Sequence, residues 1–241
     1  MVDEKDYPGV PVFRASGFSG EYWSSYLGIT NPLPISDELN TIFDKGNETH
    51  HQDEILNAGA KGIISIEDRI TILHESETYM VSGQHDYVMI YYKPGGLYIK
   101  DLKSTTSGGL FYFFRKGIEN GYKIQMSIYS YLYYIKHGVW INTGAIEKID
   151  KENFLNRIQL SVELYDKNSI SEYIKNHPNI LITLGKISEA KFLEIAADHL
   201  KDMDEDYKSG KKDKPWCCDK CQYLCPKGVE CTLLTYIKEE K

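Results

Sequence analysis

Apolar and polar residues alternate along GQHDYVMIYYKPGGLYIKDLKST, Gly83 to Thr105, and a Pro-Gly-Gly sequence divides the stretch in two. Alternation marks half-buried strands and the turn residues mark their junction, so the segment predicts a β-hairpin. Upstream, GNETHHQDEILNAGAKG predicts a helix from Gly46 that stops near Gly59–Gly62, with short strands to follow at 63–66 and 70–74. Residues 12–45 predict a mixed, partly helical leading segment with a Pro-rich turn, NPLPIS, at 31–36. Downstream, residues 110–137 predict a long aromatic helical region broken near Gly117–Gly121. VWINTGAIEKI and NRIQLSVELY predict further strands, and residues 169–176 and 188–201 predict helices. The order helix, strands, helix, strands, helices is that of a mixed α/β fold.

Composition narrows the class. A chain of 241 residues fits one large domain, or one domain with an appendage. Its 41% apolar and 26% charged residues are those of a globular protein with a full core. No apolar run is long enough to span a membrane, and the acidic start MVDEKDYPGV lacks a signal-peptide core, so a cytoplasmic location is expected. The net charge of −7 argues against a passive nucleic-acid coat. It is compatible with an enzyme whose acidic metal ligands contribute to the total. Residues 201–215 are charged and poor in apolar positions, which predicts an exposed linker. All five cysteines lie beyond it, between positions 217 and 231, and a secreted disulfide framework would spread them along the chain. The expected organisation is a domain over 1–200, a linker over 201–215 and a Cys-rich tail over 216–241.

The hairpin carries chemistry at the far ends of its strands. Asp101 and Lys103 share a face because side chains alternate along a strand. Register decides whether Asp86 joins them. A Pro94-Gly95 turn, or a four-residue loop at 93–96, sets Asp86 opposite Lys103, and a Gly95-Gly96 turn makes it a diagonal neighbour. Every even loop keeps the three charges on one face, whereas a three-residue loop separates them. Two carboxylates at cross-strand distance repel and need a cation or a shared proton. Mg²⁺ suits such a pair, and it can acidify a water and stabilise charge on a phosphoryl oxygen. Lys103 could orient that water or stabilise the developing charge. Taken alone, the same residues could be a surface hairpin with one weak ion pair.

The order of motifs decides for the metal site. Gly46 stands four residues before His50, Gly83 three before Asp86, Asp101 two before Lys103, and Gln125 four before Tyr129. This order resembles the RecB-like branch of the PD-(D/E)XK nuclease superfamily and is similar to its CRISPR-associated and phage exonucleases. The resemblance covers roughly residues 45–135 and extends to the terminal cysteines. It implies a restriction-endonuclease-like core, with a mixed central β-sheet flanked by helices. It implies that His50, Asp86, Asp101 and the backbone carbonyl of Leu102 hold Mg²⁺ or Mn²⁺. It also implies that Lys103 is the catalytic lysine, and that Gln125 and Tyr129 brace the site and contact substrate. His51 competes with His50, but adjacent helix positions point about 100° apart, and the glycine spacing favours His50. His85 should point away from Asp86.

The aromatic runs LFYFF (110–114) and YSYLYY (129–134) admit two readings, a channel stacking on single-stranded bases or, favoured, helix core. Lys116, Lys123, Lys136 and His137 either contact phosphates or form a solvated face. In the tail, Cys218-x₂-Cys221-x₃-Cys225-x₅-Cys231, with Cys217 as a substitute, can hold an iron–sulfur cluster or Zn²⁺. The RecB-like nucleases that the chain resembles often carry a 4Fe–4S cluster with one cysteine before the nuclease core and three after it. ASGFSGEYWSSYLG has none at that place, so four of the five terminal cysteines close the site, or the ligation differs, or the metal is zinc.

The expected function is a metal-dependent DNA nuclease, an exonuclease by resemblance. Its expected partners are DNA, single-stranded or with single-stranded ends, and protein subunits of a recombination or CRISPR adaptation complex. The alternatives are a non-catalytic binding or assembly subunit on the same fold, and a cysteine-based metal or redox module.

Overall fold

The computed structural model describes residues 1–241 apart from 21, 31–36, 58–61, 75–77, 91–95 and 204–241. The Pro-rich turn at 31–36, the Pro-Gly turn of the hairpin and the whole cysteine segment therefore lie outside the described residues.

Among the described residues, eight strands and seven α-helices follow in order: β1 (Val12–Arg14), α1 (Tyr22–Thr30), α2 (Asp37–Asn57), β2 (Ile63–Ile66), β3 (Arg69–Leu73), β4 (Met80–Gln84), β5 (Tyr87–Ile90), β6 (Leu97–Thr105), α3 (Ser107–Lys116), α4 (Asn120–His137), β7 (Thr143–Asp150), β8 (Arg157–Glu163), α5 (Lys167–Lys175), α6 (Pro178–Thr183) and α7 (Glu189–Met203). They build two mixed sheets: three strands in the order β1-β4-β3, and five in the order β2-β5-β6-β7-β8. The mixed α/β architecture of mixed sheet flanked by helices is as expected, with two mixed sheets in place of one central sheet. The alternating run through GQHDYVMI is two strands, because the chain bends at His85–Asp86 and passes from one sheet to the other.

Helix α4 spans the joint. Its Ile128, Tyr129, Leu132 and Tyr133 share one buried cluster with Ile70, Ile72 and Val81 of the small sheet and Val88 and Ile99 of the large one. Gly83 permits a close approach, since a Cβ there would stand 2.8 Å from Tyr129 Cδ1 and 2.9 Å from Leu132 Cδ1. Beside α4, Phe113 of α3 packs with Met126, Ile146 and Leu164 over β7 and β8. Helix α7 buries Phe192, Ala196 and Leu200 against Tyr22, Tyr26 and Leu27 of α1.

The opposite face of the large sheet receives α2. This helix begins at Asp37, before the expected Gly46. Asp53, fully buried, accepts from Tyr87 Oη at 2.9 Å and from Arg157 Nη1 and Nη2 at 3.1 Å, with Lys100 Nζ 3.9 Å away. Glu147 completes the group, 2.8 Å from Lys100 and 3.2 Å from Arg157. Two buried acids thus face two cations, the arrangement that makes burial of charge tolerable. No helix among the described residues is long and apolar enough to cross a membrane.

Candidate active site

The hairpin closes with Tyr87 opposite Lys100, Val88 opposite Ile99, Met89 opposite Tyr98 and Ile90 opposite Leu97. The connecting residues 91–96 are even in number, so parity is as expected. The register is shifted by two residues from a Pro94-Gly95 turn, and Asp86 comes next to Asp101 in the sequence of pairs rather than opposite Lys103.

Strand β5 starts only at Tyr87, so β6 runs on past the end of its partner. The bend at Asp86 fills the place of the missing main chain: Asp86 Oδ2 accepts the Leu102 N–H at 2.5 Å. In a strand the N–H and C=O of one residue face the same side. The Leu102 carbonyl therefore faces the side on which Asp86 sits, as a metal-ligating carbonyl requires.

Asp101 is 2% exposed. Lys103 Nζ lies 2.8 Å from its Oδ2, and a carboxylate oxygen paired with one ammonium keeps a lone pair for a further partner. Burial pushes the Asp101 carboxyl up to about 6, with Lys103 opposing and Asp86 adding to the rise. For Lys103 burial works against the charge, but the Asp101 and Asp86 carboxylates outweigh it and hold the ammonium above its usual range. His50, from α2, brings Nδ1 to 3.5 Å from Asp86 Oδ1. The Asp86 contact raises the His50 imidazole pKa, against the effect of burial. His51 on the same helix is exposed.

The tightest group of potential ligands contains a residue that sequence reasoning missed. Ligand atoms of His50, Glu67 and Asp86 all lie within 4.8 Å of one another. Asp101 stands outside that group, engaged with Lys103. Glu67 sits in the tight turn between β2 and β3 at φ 45°, and its N–H donates to the Asp86 carbonyl at 2.9 Å. The signal was an acidic pair, Glu67-Asp68, wedged between two strands, which reads as ordinary turn polarity. One imidazole among several carboxylates, with a buried carboxylate oxygen alongside, is a donor set that fits Mg²⁺ or Mn²⁺.

Gln125 and Tyr129 are buried on one face of α4, and Gln125 Nε2 donates to Tyr129 Oη at 2.6 Å. Burial raises the Tyr129 phenol pKa, and the Asp101 charge adds to the rise. His85 points into the protein, as expected: it is fully buried, 3.1 Å from Ser65 Oγ, and burial lowers it to about 4. Two of the four cations read as either phosphate contacts or a solvated face are engaged within the protein. Lys136 pairs with Asp68 at 2.6 Å, and Lys123 lies over the Tyr165 ring at 4.3 Å. His137 stands 3.9 Å from the same Asp68, and Lys116 is exposed. Arg14 and Arg69 were not anticipated. With Ser82, Gln84 and Tyr129 they line a hollow of about 260 Å³.

No protein-family model matches the chain, and no curated protein matches it. Similar solved structures include the crystal structure of SSO0001, at 16% identity over 74% of this chain and 81% of that one, with a TM-score of 0.45. An alkaline exonuclease (LHK-Exo) from Laribacter hongkongensis is similar at 12% identity over 83% of this chain and 99% of that one, TM-score 0.46. Its complex with dAMP is similar at 14% identity over 83% and 94%, TM-score 0.47.

Proposed function

We propose that the protein is a divalent-metal-dependent nuclease that hydrolyses DNA phosphodiester bonds, acting as an exonuclease. One observation carries the reading: the bend at His85–Asp86 brings Asp86 to Leu102, between the Asp101–Lys103 pair on one side and His50 on the other. His50, Asp86, Asp101 and the Leu102 carbonyl would hold the ion, with Glu67 at the rim. When bound, Mg²⁺ or Mn²⁺ supplies Lewis-acid polarisation of a phosphoryl oxygen and a more acidic water.

The protein's own groups do the rest. Lys103, kept cationic by the two acids, opposes the negative charge that grows on the phosphate during attack. Asp101 fixes the ammonium from within the sheet, so little reorganisation is needed. The Gln125–Tyr129 bond stiffens α4 on the Asp101 face. The hollow at Arg14 and Arg69 offers guanidinium groups to a neighbouring phosphate. Arg14 meets such a phosphate only in competition with Glu4, which it already binds at 2.5 and 2.7 Å. In the tail, Cys218, Cys221, Cys225 and Cys231 are read as ligands of a 4Fe–4S cluster or Zn²⁺, distinguished by brown or colourless anaerobically purified protein.

The test is cleavage of end-labelled single- and double-stranded DNA with Mg²⁺, Mn²⁺ or chelator. Asp101→Ala and Lys103→Ala should abolish metal-dependent cleavage while the circular dichroism spectrum is kept. Undiminished cleavage by both variants would sink the assignment.

A further inference from the structure

Helix α3 divides the LFYFF run in two. Leu110 and Phe113 are buried, whereas Phe111 is 62%, Tyr112 55% and Phe114 66% exposed. The second run behaves differently: Tyr129, Leu132 and Tyr133 of α4 are core. Phe111 and Phe114, three residues apart, share one solvent face of the helix, and Tyr112 points about 160° away from Phe114. Large apolar groups paired on a solvent face mark a binding surface.

Three observations identify what binds there. The first is charge: α3 contains no acid and ends on exposed Arg115 and Lys116, within a chain of net charge −7. Arg115 already lies over the Phe111 ring at 5.7 Å, so cation and ring form one surface. The second is position: α3 opens directly after the strand that carries Asp101 and Lys103, with Thr106 as its N-cap. The third is continuity: Lys103 pairs with Lys148 across the β6–β7 ladder, and Lys148 Nζ lies 4.7 Å from the Phe113 ring centroid. A line of cations thus runs from the reaction centre to the foot of the aromatic helix.

We propose that α3 is a stacking platform for a single strand of DNA, whose bases lie on Phe111 and Phe114 while its phosphates follow Lys103, Lys148 and Arg115. A single strand presents base faces to rings and phosphates to cations, whereas a duplex hides its base faces. The proposal rests on the nuclease reading only for the direction in which the strand runs.

The experiment measures binding of the full chain to fluorescein-labelled oligodeoxythymidine and to a blunt duplex by anisotropy, in chelator so that nothing is cut. Phe111→Ala with Phe114→Ala should weaken single-strand binding by roughly 10-fold per ring and leave duplex binding little changed. Phe111→Trp with Phe114→Trp should restore affinity and add an emission that the oligonucleotide quenches. The proposal is overturned if single-strand affinity survives the alanine pair, or if both DNAs lose affinity equally. It is also overturned if the wild type sediments as a dimer that the alanine pair dissociates, because the face is then a contact between copies. Hydrolysis of bis(p-nitrophenyl) phosphate by the wild type with Mn²⁺ reports on the nuclease reading separately. Platform binding without hydrolysis would remove the catalytic reading and leave the platform.

Discussion

Replacing Asp53 by Asn tests whether the back face of the sheet governs the front. The buried Asp53 carboxylate accepts three hydrogen bonds, one from Tyr87 and two from Arg157, and stands 3.9 Å from Lys100. An amide keeps the shape and removes the charge, so Lys100 and Arg157 are left with Glu147 alone. Breaking a buried pair in this way costs about 3–5 kcal/mol. The lower end applies because the Arg157 side chain is 31% exposed. About 3 kcal/mol lowers the melting temperature of a domain of this size by roughly 6–12 °C. The same turn of α2 carries His50, so the variant should also need about tenfold more Mg²⁺ for half-maximal cleavage, the usual effect of losing a residue that positions a ligand. Thermal unfolding by circular dichroism and a Mg²⁺ titration of cleavage read the two effects. In a variant that already carries Arg157→Gln the loss should shrink, because the two residues share one network. A melting temperature within about 2 °C of wild type would refute the claim that this network holds α2.

Two further predictions follow from the geometry. Glu67→Gly relieves a positive φ and should raise stability by about 1 kcal/mol while increasing the Mg²⁺ requirement, as thermal unfolding and metal titration of the same sample would show. His177 is held neutral by burial, with its pKa lowered to about 4, and its Nδ1 accepts the Asn179 N–H at the start of α6. The unfolded chain binds a proton there that the folded one refuses, so the contribution is complete above about 6.5 and fades as the pH falls toward 4, by up to about 3 kcal/mol. His177→Asn keeps a capping side chain and should flatten the loss of melting temperature between pH 6.5 and 4.5, though His85, shifted the same way, leaves part of the slope.

Parity was legible in the sequence and register was not. Alternation alone puts Asp101 and Lys103 on one face, because the side-chain period of a strand is two. The offset of Asp86 comes from the six-residue connection 91–96 in place of a Pro94-Gly95 turn, and the bend at His85–Asp86 takes Asp86 out of the ladder. Nothing in the alternation of GQHDYVMI marks the bend, since both halves are buried strands. His50 was found through its spacing from glycine, whereas Asp53 was missed. In GNETHHQDEIL it is one acid among several, and its burial depends on Arg157, Lys100 and Glu147 from distant strands. The aromatic runs looked alike in composition. They differ because α4 is covered by two sheets and α3 by the edge of one.

Because α4 lies across the junction of the two sheets, it acts as a splint over a joint. The arginines of the hollow stand on the small sheet, and the acids and Lys103 belong to the large sheet and the bend that feeds it. On the proposed reading, rigid-body rocking of one sheet against the other would change the distance between a phosphate held at the hollow and the groups around Asp86 and Asp101. Tyr129 and Leu132, pressed onto Gly83 beside that joint, oppose such rocking, so that spacing would be set by the width of a helix and not by a loop.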